Sequence, residues 1–179
     1  MAQNRLRRTV ALVGLMGAGK STVGRRLADA LRAPFRDSDD EIAGAAGMDV
    51  PDIFAELGEP AFREGERRVI ARLLDEPPHV LATGGGAFMN PETRRLIRER
   101  ALAVWLRADL DTLVERTARR DDRPLLRQGD PRAILARLIA ERHPVYAEAA
   151  VAVDSLRGGA HDAVVADILS ALEQRRLLK

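Results

Sequence analysis

Residues 14–21 read GLMGAGKS, a complete G-x-x-x-x-G-K-[ST] pattern set between a β-branched apolar run, TVALV at 9–13, and a stretch of helical periodicity. That order restricts the chain more than any other feature in it. The apolar run reads as a strand buried on both faces, so it needs neighbours on both sides. The glycines let successive backbone N–H groups turn inward around an anion, and the helix start adds a favourable dipole. Lys20 is expected as an exposed loop ammonium that reaches the terminal phosphates of a nucleotide, with Ser21 as a magnesium ligand. The alternative is an ordinary glycine-rich strand-to-helix turn. Against it stand the full match and the lysine itself: of 29 basic residues only Lys20 and Lys179 are lysine. A chain that otherwise uses arginine keeps a compact ammonium at this one internal position.

The same alternation recurs along the chain. Val23, Leu27, Ala28, Ala30 and Leu31 repeat at helical spacing until Pro34 stops the run. Strand-like runs follow at 35–37, 80–82, 102–106 and 151–153. Helical patterns cover 39–46, a segment opened by Pro51, 62–74, 91–100, 110–119, 131 to about 142, and 162–175, with a break at Gly58 and Pro60. Residues 120–130 (RDDRPLLRQGD) have no apolar periodicity and are expected as a mobile surface loop. Parallel neighbours need crossover connections, so this alternation implies one α/β domain over residues 1–179: three layers around a central five-stranded parallel sheet. With 179 residues, 46% of them hydrophobic, the chain is long enough for one such core.

Ligands of parallel sheets gather at the carboxyl ends of the strands, so the residues just after each strand become candidates for chemistry. Asp37 and Asp39 follow the second strand and lead an acidic run through Asp40 and Glu41. Acidic residues also favour helix starts, a reading that suits Asp40 and Glu41 best. If the second strand lies near the first, one of Asp37 and Asp39 holds a magnesium-bound water and the other accepts a hydroxyl proton. Gly84, Gly85 and Gly86 follow the third strand; three successive glycines cost backbone entropy, which points to a close approach of another molecule to their N–H groups. Arg63, Arg123 and Arg142 carry meaning only in combination, because most of so many arginines must be solvated. His79, His143 and His161 lack metal-site spacing and read as structural or exposed, and Trp105 as core.

Composition removes several classes of function. Cysteine is absent, which excludes disulfides, thiolate zinc sites and cysteine nucleophiles, and suits a reducing cytoplasm. A net charge of +2 gives no broad cationic field and 3% aromatic content no stacking platform, so no nucleic-acid partner is expected. The apolar runs fall short of the roughly 20 residues that cross a bilayer, and residues 1–9 lack the apolar region of a secretory signal, so no membrane partner is expected.

Taken together, GLMGAGKST with the following VGRRLA, FRDSD, IFAELGEPAFREGE, ATGGG, RDDRPLL and RHPVY resemble shikimate kinase, in the order that family shows, from Thr9 to about Val153. The resemblance implies a small P-loop fold like that of nucleoside monophosphate kinases, and ATP-dependent phosphorylation of shikimate at its 3-hydroxyl in aromatic amino acid biosynthesis. It implies that Gly14, Gly17, Ala18, Gly19, Lys20, Ser21 and Thr22 hold the nucleotide, with Ser21 and, through water, Asp37 at magnesium. Asp39 becomes the base that binds substrate hydroxyls, Arg63 and Arg142 grip the carboxylate, and Gly84 to Gly86 line the substrate side. Arg123 becomes the arginine of a lid at 120–130, and Arg116 and Arg157 lie around adenine. Partners are shikimate and ATP, with a monomer expected. Ala43 departs from a Glu common in the family, outside the matched catalytic positions. The rivals are a kinase of the same fold acting on gluconate or a nucleoside monophosphate, and a nucleotide-dependent binding module. A carboxylated cyclic polyol explains Arg63, Arg142, Asp39 and the glycine triplet together, whereas a nucleotide acceptor would need a base pocket that the sequence does not show, and a binding module gives no reason for Asp39 and the arginines.

Overall fold

The computed structural model describes residues 4–119, 124–156 and 158–179. Its centre is β1 (Thr9–Val13), all five residues of which are buried, as a β-branched apolar run between two neighbours should be. The strands β2 (Phe35–Asp37), β3 (Val80–Ala82), β4 (Ala101–Arg107) and β5 (Val151–Asp154) complete a parallel sheet in the order β2-β3-β1-β4-β5. Helices α1 (Lys20–Leu31), α2 (Ser38–Ala46), α3 (Val50–Leu57), α4 (Glu59–Leu74), α5 (Pro91–Arg100), α6 (Leu110–Thr117), α7 (Pro131–Tyr146) and α8 (His161–Gln174) pack around it. Leu12, Leu27, Leu31, Ile70, Leu73, Leu81, Ile97 and Leu106 are fully buried between sheet and helices, each contributing roughly 1.5–3 kcal/mol.

Register decides what meets at the carboxyl edge. Leu12 and Asp37 both stand opposite Ala82. The chain therefore leaves β1 at Gly14, β2 at Ser38 and β3 at Thr83 side by side. Thr83 locks the central pair, its N–H and Oγ1 both donating to Leu12 O at 3.2 and 2.8 Å. Gly24 brings α1 close over β2: a Cβ there would come 2.6 Å from the Phe35 ring. This approach sets the start of α1 beside the end of β2.

The helix starts divide by chemistry. Asp37, Asn90, Asp109 and Asp130 cap α2, α5, α6 and α7, each accepting a first-turn N–H at a gain of about 1 kcal/mol. By contrast α1 begins at Gly19, in the left-handed region at φ 94°, with no side chain on its first N–H groups. Those donors are left for an anion.

Several expected boundaries move. α4 starts at Glu59 instead of Phe62, with Pro60 in its first turn, where a missing N–H costs nothing. Gly58 is thus the joint between α3 and α4, ending one and starting the next. α7 runs past Arg142 through Pro144 to Tyr146. In the segment expected as an irregular loop, residues 120–123 lie outside the described residues and Pro124–Gln128 forms a short 3-10 turn. Far from the carboxyl edge Leu6 bridges Leu178 antiparallel, a pairing with no local signal.

His79 precedes β3 and is 1% exposed. Its Nδ1 lies 2.9 Å from Pro77 O, so the neutral ring carries its proton there, and Nε2 is buried without a hydrogen-bond partner. Burial lowers its pKa from 6.5, against the pull of Pro77 O and Glu76. The unfolded chain takes up this proton first, so stability falls as pH drops below 6.5 towards the lowered value. The expected outcome for His79→Gln is a shallower fall of the urea midpoint between neutral and acid pH; a slope equal to the parent's would contradict it.

Candidate active site

On the nucleotide side the structure brings Lys20, Ser21 and Asp37 together. Lys20 is not the exposed ammonium expected from the sequence. It is 9% exposed, and Nζ donates to Gly14 O and Leu15 O at 2.7 and 2.9 Å. The loop curls over its own cation because its glycines leave carbonyls within reach, so Lys20 also organises the loop. Ser21 Oγ donates to Asp37 Oδ2 at 2.7 Å, while Asp37 Oδ1 accepts from Asp39 N at 3.0 Å and caps α2. Asp40 and Glu41 stand in the first turn of α2, as acidic helix starters should, while the cap itself is Asp37. Asp40 also faces Arg25, and Glu41 pairs with Arg72 at 2.7 Å.

Arg116 stands behind the loop. Its Nη1 donates to Gly17 O, Ala18 O and Ser155 Oγ, and Nη2 to Leu156 O, at 2.9–3.2 Å. Burial pulls its pKa below the ordinary value. One guanidinium thus ties the phosphate loop to the connection between β5 and α8, next to where adenine contacts are expected. His161, at the start of α8, also lies here: its ring is 3.6 Å from where a Gly19 Cβ would stand.

The glycine triplet has a steric reason. A Cβ on Gly84 would come 2.8 Å from both Asp39 Oδ1 and Glu66 Oε2, and one on Gly86 2.5 Å from Arg63 Nη1. One on Gly85 would stand 3.6 Å from Arg142 Nη1 and 3.4 Å from Met16 N. Gly84 and Gly86 leave room for two carboxylates and one guanidinium to crowd the backbone, while at Gly85 a Cβ would meet Arg142 in ordinary contact. Its amides are not all available, since Gly84 N–H donates to buried Ser38 Oγ at 3.0 Å. That narrows the sequence reading of three substrate-facing N–H groups to Gly85 and Gly86.

Arg63 and Arg142 converge on consecutive residues of this turn from α4 and α7. Arg63 is already engaged, with Nη1 on Glu66 Oε1 at 2.9 Å and Nη2 on Glu59 Oε1 at 3.4 Å. Arg142 Nη1 is buried with no hydrogen-bond partner. Glu66 is 2% exposed; burial pushes its carboxyl up, Arg63 pulls it down, Asp39 raises it and Arg142 lowers it. Sequence reasoning quoted Glu66 inside FREGE without singling it out. Its spacing of three from Arg63 on one helix was the available signal. Ser38 and Tyr146, whose hydroxyl donates to Gly85 O, were also missed. Arg123 and Arg157 lie outside the described residues.

The donor set suits magnesium. Among the described residues no group of three or more His, Cys, Asp or Glu forms a metal cage. Magnesium needs none: it keeps several waters and takes one or two protein oxygens plus phosphate. A hydroxyl and a carboxylate 2.7 Å apart at an uncapped helix start fit that demand.

Comparison with known proteins agrees with this geometry. A family model for shikimate kinase matches residues 16–173. A shikimate kinase of Caulobacter vibrioides is 60% identical over 167 residues, 93% of this chain and 83% of that protein. The solved structure of shikimate kinase from Acinetobacter baumannii in complex with shikimate superposes with a TM-score of 0.91 at 37% identity, covering 95% of each chain. A gluconokinase from Sinorhizobium meliloti shares only the fold, with a TM-score of 0.56 at 20% identity over 95% of this chain and 94% of that one. No helix among the described residues is long and apolar enough to cross a membrane. With the phosphate loop, the Asp39 and Glu66 carboxylates and the arginine pair gathered at one sheet edge, and relatives this close, the chain belongs to the shikimate kinase family of phosphotransferases.

Proposed function

We propose that this enzyme transfers the γ-phosphoryl group of ATP to the 3-hydroxyl of shikimate. The observation that carries the reading is the convergence of Arg142 and Arg63 with Asp39 on a glycine turn that also touches the phosphate loop at Met16. Planar guanidiniums suit a planar carboxylate, and Arg142 keeps a buried N–H without a protein partner. In this reading Asp39 orients the acceptor hydroxyl and receives its proton, and the amides of Gly85 and Gly86 meet the ring. Gluconate also carries a carboxylate, but the gluconokinase likeness reaches no further than the fold.

On the nucleotide side Gly14, Gly17, Ala18, Gly19 and Thr22 supply the cradle and Lys20 the ammonium beside the terminal phosphates. Ser21 and Asp37 would hold magnesium, Asp37 through water. Bound there, magnesium supplies charge neutralisation across the phosphate oxygens. Arg116 belongs to the adenine side; Arg157 and Arg123, which lie outside the described residues, are assigned by the family resemblance to the adenine side and to the transferring phosphate. A monomer acting in the cytoplasm, without nucleic acid or membrane, suits the absence of cysteine and the small net charge.

The acceptor is tested by ADP release from purified protein with shikimate, quinate, gluconate, AMP or none. Turnover should be confined to shikimate, with little on quinate; comparable rates on gluconate or AMP would defeat the assignment. The two aspartates should separate. Asp39→Asn loses roughly 10²- to 10⁴-fold in kcat, the usual worth of a general base, with ATP binding retained. Asp37→Asn keeps the α2 cap, because Asn caps as well as Asp, and raises the magnesium concentration needed for half-maximal rate. Exchanged phenotypes would mean exchanged roles. For Arg142→Ala, calorimetry should show shikimate binding weakened about ten- to a hundredfold and ATP binding unchanged, the loss expected for a charge-assisted hydrogen bond.

A further inference from the structure

RHPVY holds a second polar group besides Arg142. Tyr146 closes α7 four residues later, so the two side chains share a helix face. The phenol ring is fully buried against Phe88, Trp105 and His143, with centroids 6.1–6.3 Å away. That ring is core, yet its hydroxyl serves no packing purpose. It donates to the carbonyl oxygen of Gly85; burial pushes its pKa up to about 12, and the Arg142 charge on the same helix face acts against this, favouring the ionised phenol. Gly85 is also where the acceptor turn comes nearest the phosphate loop, its missing Cβ position lying 3.4 Å from Met16 N and 3.6 Å from Arg142 Nη1. One hydroxyl therefore fixes the peptide that lies between the two halves of the site and beside the Arg142 guanidinium.

We infer that the Tyr146 hydroxyl is a positioning group for acceptor recognition, holding the Arg142 guanidinium and the Gly85 peptide in one fixed relation before the ligand arrives. The inference rests on the proposed role of Arg142 at the acceptor carboxylate. An unrestrained arginine side chain loses much rotamer freedom when a ligand fixes it. Here part of that loss is met on folding, because Arg142 Nη1 is buried beside the fixed Gly85 peptide, where it has no protein partner. Without the hydroxyl, Gly85 O loses this donor, and the peptide beside which Arg142 lies is free to shift. Acceptor affinity falls, while the phosphate loop keeps its own braces in Lys20 and Arg116.

Tyr146→Phe keeps the ring and its packing and removes only the hydroxyl. By calorimetry the dissociation constant for shikimate should rise about tenfold, with that for ATP unchanged. A purely structural hydroxyl would lower Tm and leave both constants alone. In an Arg142→Ala background the same change should cost shikimate binding nothing further, because the two groups act as one unit. The protein has a single tyrosine. A ring label at its Cζ therefore reports this phenol alone in the unmodified enzyme, and its resonance should move on saturation with shikimate. The inference is overturned if Tyr146→Phe binds shikimate within twofold of the parent while Arg142→Ala is impaired, if the two losses add, or if the label does not respond to shikimate. Normal shikimate binding by Arg142→Ala would instead defeat the carboxylate reading from which the inference starts.

Discussion

The parallel pairing of β1 with β3 is the constraint on which the rest of this molecule depends. It sets Leu12 opposite Ala82, and Thr83 fastens the two strands with a pair of hydrogen bonds to Leu12 O. From that edge the phosphate loop leaves on one side and the glycine turn on the other. β2 adds beside β3 in the register that brings Asp37 level with the same row. A slip of one residue would invert every side chain on these short strands and separate Ser21 from Asp37. β1 and β3 are buried and apolar, and Phe35 of β2 packs tightly against Gly24 of α1, so the packing of the core and the geometry of the site are enforced together.

Charge at the acceptor side is balanced before any substrate arrives. Asp39 and Glu66 face Arg63 and Arg142 across a turn that has no side chains to separate them. Glu66 meets burial by pairing with Arg63 on the same helix, which leaves Arg142 as the cation with a buried N–H unspent. Removing one member of such a set exposes its partners to an uncompensated burial cost. The arginines therefore have unequal duties: Arg63 belongs as much to the fold of α4 as to the ligand, and Arg142 is held in place from α7.

Local signals made much of this legible. The TVALV run, the full GLMGAGKS pattern and the alternation of strands with helices were enough for a five-stranded parallel sheet and its ligand edge, because each depends on residues adjacent in sequence. Proline misled where its meaning is positional: Pro60, read as part of a break, opens α4, and α7, expected to end near Arg142, runs on through Pro144. What stayed hidden depends on distant partners. Ser38 and Tyr146 gain their roles from residues 46 and 61 positions away, and Glu66, although its spacing from Arg63 offered a local signal, gains its role from a burial that nothing in FREGE shows. The expected exposure of Lys20 failed for a similar reason, since the carbonyls that cover it are turned inward by the loop's own curvature.

That covered lysine gives the chain an unusual chemical profile. Lys179 apart, Lys20 is its only side-chain amine, and it is 9% exposed beneath Gly14 and Leu15. An acylating reagent can reach Nζ only when the loop uncurls and the ammonium gives up a proton. The rate of that single modification would therefore count openings of the phosphate loop, as amide exchange counts openings of a helix. Most proteins hide such an event among many surface lysines. Here the near-exclusive use of arginine leaves an internal reporter at the one loop whose opening matters most.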